Sequence, residues 1–268
     1  RIEIASPFCS FLNRSFSAGE VPYAWKIANI VLIHKKGRKD YRENDRQSSL
    51  TSVACKVSEK IGQDRVVNFW QDLNVFNPNQ FGFLEGKSTL SQLLCCVWWL
   101  GIFTRNKSRP TDAIFLDFSK AFDSVPHERL LLKLKCHGID GSLLRWLSNL
   151  LTDRKQRVVV QSTHSSWTCV TSRVFQGTIL SPILFLIYVN DIAFNISSTL
   201  RMFADDTKVY RELSDIAKDN EALPLDVDQL LSWASKWELR FNRDKSCVLH
   251  TKVASPSLHT YWARALKA

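Results

Sequence analysis

The sequence predicts a mixed α/β or α+β fold, helices around a small sheet, and three observations carry that expectation. Ala113–Phe118 (AIFLDF) is an apolar run ending in an acid, the pattern of a buried strand. Leu200–Tyr210 (LRMFADDTKVY) divides into two short runs that turn at Asp205-Asp206, a hairpin. Between them lie segments with helical patterning, Val125–Gly138, Gly141–Arg154 and the apolar Thr178–Ile192. Helices interspersed with few strands place the chain in a mixed class.

The remaining elements follow in order. Trp25–His34 (WKIANIVLIH) is apolar and β-branched, hence a strand, and runs into the basic turn Lys35-Lys36-Gly37-Arg38-Lys39. Leu50–Phe69 carries Val53, Val57, Ile61 and Val66 at helical spacing, and Leu90–Phe103 is a second apolar helix. Val158–Val160 and Thr168–Thr171 read as paired strands. Asp215–Leu239 has a helical pattern interrupted by Pro224, which is expected to open a helix as its first residue.

Composition bounds the function. Thirty-six basic residues against 26 acidic give a net charge of +10. Such an excess suits a polyanionic partner, because each neutralised phosphate releases counterions; a merely soluble basic protein has the same balance. Seven scattered cysteines form no C-x-x-C pair, which predicts reduced thiols and an intracellular protein without a zinc knuckle. The longest apolar run, 179–189, contains Ser181 and Pro182 and falls short of the roughly 20 residues a membrane helix needs. No membrane partner is expected. The only methionine is Met202, which suggests a piece of a longer reading frame.

Three acids stand out by position. Asp117 ends an apolar strand, and Asp205-Asp206 occupy the tip of an apolar hairpin. Acids beside buried strands need something to offset their charge, and a divalent metal does so. If the two strands lie side by side, the three carboxylates form an oxygen-rich cage of the kind Mg²⁺ takes. Asp205-Asp206 alone is equally well a polar turn.

The order of the blocks adds a resemblance. AIFLDFSKAFD (113–123), FQGTILSPILFLIYVND (175–191) and FADDTKVY (203–210) resemble successive motifs of LINE-type (non-LTR) retrotransposon reverse transcriptases. WKIANIVLIHKKG (25–37), SLTSVACKVSEKI (49–61), QFGFLEGKSTLSQLL (80–94) and WELRFNRDKSCVLH (237–250) look like further blocks of the same family. The resemblance implies an α+β right-hand polymerase: fingers within 1–110, a palm with some finger elements within 111–252, and a thumb largely absent, with 253–268 its truncated start or an unrelated tail. It also implies an RNA template, a DNA primer and dNTP as partners, and a nuclear site of action.

Residue roles are carried over by similarity. Asp117, Asp205 and Asp206, with the carbonyl of Phe118, would bind two Mg²⁺, or Mn²⁺ in their place. Lys245 would protonate the departing pyrophosphate. Phe122 would exclude a ribose 2′-hydroxyl, and Gln176-Gly177 would line the nucleotide pocket. Lys35, Lys36 and Arg46 would hold dNTP phosphates or template, and Gly82, Lys87 and Ser88 would touch template or primer. Several positions depart from the family pattern. Asn44-Asp45-Arg46-Gln47-Ser48-Ser49-Leu50 keeps the arginine of Asn-Tyr-Arg-Pro-Ile-Ser-Leu but loses its Tyr, Pro and Ile. Arg173-Val174-Phe175 stands for Gly-Val-Pro, Ser181 for glycine, and Leu84 and Lys87 for arginines. These changes leave open a second possibility, an inactive relic or nucleic-acid-binding module that retains only the fold.

Overall fold

The computed structural model describes residues 2–41, 44–99, 110–170, 172–175, 177–213 and 216–251. In chain order, helix α1 (Ile2–Ala18) is followed by strands β1 (Ile27–His34) and β2 (Asp45–Leu50). Helices α2 (Val53–Asp72) and α3 (Thr89–Trp99) precede β3 (Thr111–Leu116), then α4 (Ala121–Ser124), α5 (His127–Cys136) and α6 (Gly141–Leu151). Next come β4 (Arg154–Val160), β5 (Thr163–His164), β6 (Thr168–Val170) and α7 (Ser181–Val189). The hairpin β7 (Thr199–Phe203) and β8 (Asp206–Glu212), helix α8 (Ile216–Lys236) and β9 (Cys247–Thr251) complete the order.

The chain forms two compact units, Arg1–Val75 with Phe122–Tyr188, and Phe76–Ala121 with Val189–Ala268. The units interleave along the sequence, because strand partners are recruited from distant segments. The tail at 253–268 and Phe103 lie outside the described residues.

In the first unit the sheet runs β2-β1-β4-β5, with β6 also on β4. β1 pairs antiparallel with β2 and parallel with β4, Ile30 facing Ser49 and Val158. The strands expected at 158–160 and 168–171 do pair, but Arg154–Gln156 is the part of β4 that meets Val170–Thr168. Helix α2 starts at Ser52, whose side chain accepts from the Cys55 N–H. This satisfies one of the amides left free at a helix start. Trp146 of α6 is fully buried, packs on Phe16 with ring centroids 4.6 Å apart, and donates its indole N–H to the Ser15 hydroxyl at 3.1 Å. Helix α7 is buried almost all round, as its unbroken apolar run requires.

In the second unit the sheet order is β7-β8-β3-β9. Every pairing is antiparallel, and β3 lies in the interior with Ala113, Ile114 and Leu116 buried. At one end of the β3–β9 pair, the Asp112 carboxylate and the His250 imidazole meet at 2.6 Å. Helix α8 is tied to the unit through the Asp226 carboxylate, which accepts from the Ser197 and Ser198 N–H groups at 2.8 Å. Pro224 does not start this helix; α8 begins eight residues earlier and runs through it. Contacts such as Asp226 and buried Leu223, Val227 and Leu230 offset the hydrogen bond a proline removes. Among the described residues, no helix is long and apolar enough to cross a membrane.

Candidate active site

The strand registers bring the outstanding acids together. β3 and β8 pair up to Leu116↔Thr207, and one further step sets Asp117 opposite Asp206. Directly opposed residues of an antiparallel pair share a face and lie about 4.5–5.5 Å apart. On the other side of β3, the pairing with β9 ends at Phe115↔Cys247 and gives way to a turn at 243–245, with Phe118 bridged to Phe241. The Lys245 ammonium lies 2.6 Å from Asp117 Oδ2. Asp117 thus stands between an acid and a base.

Its backbone is held as well. The Asp117 carbonyl accepts from the Asn242 N–H at 2.6 Å, and its N–H donates to the Ser246 hydroxyl at 3.4 Å. Ser246 in turn donates to the Asn242 carbonyl at 2.7 Å, closing the short loop that carries Lys245. Phe118 is buried and stacks on Phe241 at 4.4 Å.

Asp205 sits at the hairpin tip after Ala204, whose φ of +54° is left-handed. Burial raises the Asp205 pKa above the ordinary carboxylate value. The charges of Asp206 and Asp117 push the same way, while its own backbone and Lys245 oppose them. Three carboxylates that repel one another are a donor set suited to a hard divalent cation such as Mg²⁺. Their side chains are not gathered into a ready cage: among the described residues, no three His, Cys, Asp or Glu side chains form a metal-holding group. Lys245 engages Asp117 instead.

Gly82, Lys87 and Ser88 belong to the same unit. Gly82 lies against the hairpin tip, where an added Cβ would stand 2.4 Å from the Ala204 nitrogen. The Lys87 ammonium donates to the carbonyls of Pro78 and Gln80 at 2.9 and 2.7 Å, and burial lowers its pKa. Ser88 opens α3, its hydroxyl accepting from the Ser91 N–H at 3.1 Å.

The first unit holds the other expected residues. Lys35 and Lys36 are exposed after β1, and exposed Arg46 faces Ile33 on β2. Phe122 is 9% exposed and stacks on Phe185 at 4.7 Å. Gln176 lies outside the described residues. Gly177 has φ +95°, and a Cβ there would meet the Ser48 hydroxyl at 2.8 Å and the Ser49 carbonyl at 3.0 Å. Its lack of a side chain therefore lets the loop approach β2.

Two buried residues that sequence reasoning passed over flank this loop. The Glu59 carboxylate, on α2, accepts from the Ile179 and Leu180 N–H groups at 2.8 and 3.4 Å, just ahead of α7. Arg154 is 1% exposed and stacks its guanidinium 4.2 Å over the Phe175 ring. The phenylalanine that replaces the usual proline thus has a partner. Ser181 has one too, its hydroxyl 2.6 Å from that of Thr178.

Arg173, where glycine is usual, keeps the backbone of a glycine at φ +104°. Its guanidinium reaches Gln47 and Gln156 at 3.2 Å and Asp123 at 3.6 Å. Arg173→Ala discards those contacts and keeps the strain, whereas Arg173→Gly discards both. The glycine variant is therefore expected to be more stable than the alanine variant by about 1–2 kcal/mol in urea unfolding. At an ordinary position the order is reversed.

Residues 33–261 match the family model of the reverse transcriptase (RNA-dependent DNA polymerase). The chain is 29% identical over 242 residues to the RNA-directed DNA polymerase from mobile element jockey of Drosophila melanogaster, covering 87% of this chain and 26% of that one. It is 30% identical over 235 residues to the probable RNA-directed DNA polymerase from transposon X-element of the same fly, covering 84% and 25%. The chain spans about a quarter of the length of these relatives. Among solved structures, apo telomerase from Candida tropicalis superposes with a TM-score of 0.62 at 13% identity, over 94% of this chain and 56% of that one. Telomerase from Candida albicans, in complex with a fragment of telomeric RNA, gives 0.60 at 12%, over 93% and 46%. These share the polymerase fold. By fold, by the ordered blocks and by the matched span, the chain belongs to the reverse transcriptase family of RNA-directed DNA polymerases, among those of LINE-type, non-LTR retrotransposons.

Proposed function

We propose that this chain is the polymerase region of a non-LTR retrotransposon enzyme and extends a DNA primer on an RNA template. The observation that carries this is the pairing of β3 with β8, which runs to Leu116↔Thr207 just before Asp117 and Asp206, together with the Lys245 ammonium 2.6 Å from the Asp117 carboxylate. Asp117, Asp205, Asp206 and the Phe118 carbonyl are the groups that would hold two Mg²⁺ or Mn²⁺ ions. Such a pair, when bound, activates the primer 3′-hydroxyl for attack on the dNTP α-phosphate and neutralises the departing pyrophosphate.

The chain's own residues divide the remaining work. Lys245, whose ammonium donates to the Asp117 carboxylate, would be the group that gives a proton to the departing pyrophosphate. Phe122 walls off the ribose 2′-position, and the Gln176-Gly177 loop borders the nucleotide. Lys35, Lys36 and Arg46 meet phosphates, and the segment of Gly82, Lys87 and Ser88 borders template or primer. The interleaved units correspond to fingers and palm. Enzyme of this kind works at chromosomal DNA, hence in the nucleus.

Primer extension tests this directly. With poly(rA)/oligo(dT), dTTP and Mg²⁺, the chain is expected to add nucleotides, and Asp117→Asn to add none. Because template binding rests on phosphate neutralisation, raising salt from 50 to 200 mM should weaken it steeply, by about 10³-fold or more if six phosphates are contacted. Salt-sensitive RNA binding without incorporation in Mg²⁺ or Mn²⁺ would leave a binding module and refute the polymerase.

A further inference from the structure

We propose that Gln80 is a positioning residue for the hairpin tip: its carboxamide holds Ala204 in the left-handed conformation that aims Asp205 and Asp206. Gln80 is 3% exposed, and Oε1 accepts from the Ala204 and Gly82 N–H groups, both at 2.8 Å. Its Nε2 donates to the Ala204 carbonyl at 3.4 Å. One side chain therefore meets both polar backbone groups of the residue that precedes the acids. A neutral amide is suited to this task, since it offers a donor and an acceptor at once. A carboxylate would lack the donor and add negative charge beside Asp205.

The need for such a clamp follows from the backbone. Ala204 has φ +54°, a conformation that costs free energy for any residue with a Cβ and that the surroundings must impose. The clamp is itself fixed. Asn79–Phe81 runs alongside β7, with Met202 N–H donating to the Asn79 carbonyl at 2.9 Å and Phe81 N–H to the Met202 carbonyl at 2.8 Å. Arg201 donates to the Asn79 side chain. The Lys87 ammonium binds the Gln80 carbonyl at 2.7 Å. Gly82 completes the contact, because any side chain there would enter the Ala204 backbone. The segment thereby fixes the tip through backbone geometry, and Gln80 sets the peptide from which Asp205 projects.

Gln80's role presupposes the metal site proposed above, so the test separates the two. Mn²⁺ alone is titrated into the full chain and its affinity followed by electron paramagnetic resonance, below the melting transition of every variant. Gln80→Met keeps the volume and removes the amide; it is expected to weaken Mn²⁺ binding by about 10–100-fold, the range for groups that orient metal ligands. Ala204→Gly, added to Gln80→Met, should recover part of the loss, because glycine enters the left-handed region without a Cβ penalty. A folded Gln80→Met with unchanged affinity overturns the assignment, and so does a loss that Ala204→Gly leaves in full. Where Gln80→Met does not fold, the same outcomes are read on Gln80→Asn, which withdraws the amide by one methylene. Equal Mn²⁺ affinity of the unaltered chain and Asp205→Asn would instead remove the metal site, and Gln80's role with it.

Discussion

Asp205→Asn is expected to cut Mg²⁺-dependent incorporation by about 10³-fold or more, the upper range for losing one preorganised charge-stabilising group. The same change should raise the melting temperature of the metal-free protein. Burial and the charges of Asp206 and Asp117 all disfavour the Asp205 carboxylate, and the neutral amide escapes them. A gain of about 1 kcal/mol corresponds to about 2–4 °C in a chain of this size. Added Mg²⁺ reverses the order, because a ligand stabilises only the state that binds it. Calorimetry with and without Mg²⁺ checks the pair of effects. A variant less stable than the parent without metal would mean that Asp205 is held by structural contacts and not kept for a cation.

Glu59→Ala is expected to destabilise the fold by about 1–3 kcal/mol, the range for leaving buried hydrogen-bond donors unsatisfied. Glu59 and Arg154 are each 1% exposed, and the guanidinium's pKa is lowered by burial while the Glu59 charge counters that shift. The variant also strands the Ile179 and Leu180 N–H groups. Cys55 cannot substitute: burial, reinforced by Glu59, pushes its thiol up to about 12, so it stays neutral. Urea unfolding measures the loss. Since Glu59 supports the start of α7 and Arg154 covers Phe175, milder Glu59→Gln is expected to raise the KM for dNTP more than it lowers kcat. A cost below 1 kcal/mol for Glu59→Ala would show that α7 needs no such support.

Local patterning made much of this architecture readable. The apolar run at 113–116 became interior strand β3, and the FADD hairpin formed where its two runs turn. Helices α2, α5, α6 and α7 fell within a few residues of their expected positions, although Val53 and Val57, which predicted α2, are exposed and its buried side carries Cys55, Ser58, Glu59, Gly62, Val66 and Trp70. What stayed hidden depends on partners distant in sequence. Strand β2 (DRQSSL) has no β-branched residue, and its pairing with β1 makes it a strand. Strand β9 is recruited by β3, so the meeting of Lys245 with Asp117 could not be read from the lysine's surroundings.

The site was legible in the same uneven way. Carboxylates announce themselves beside apolar strands, and the ordered blocks assigned them roles. Gln80, Glu59 and Arg154 carry no such mark, since a polar residue that acts through backbone groups is visible only once the backbone is placed. The departure at Arg173 is another case. Standing where glycine is usual, it keeps φ +104° with an arginine side chain.

Paramagnetic broadening of backbone amide resonances by Mn²⁺ would test most directly whether the acids serve one cationic centre. Substoichiometric Mn²⁺ should erase the signals of residues 116–118, 203–207 and 245–246 first, with Asp117→Asn restoring them. Broadening spread over exposed carboxylates such as Asp40 and Asp64, with the hairpin tip spared, would contradict a shared metal centre at Asp117, Asp205 and Asp206.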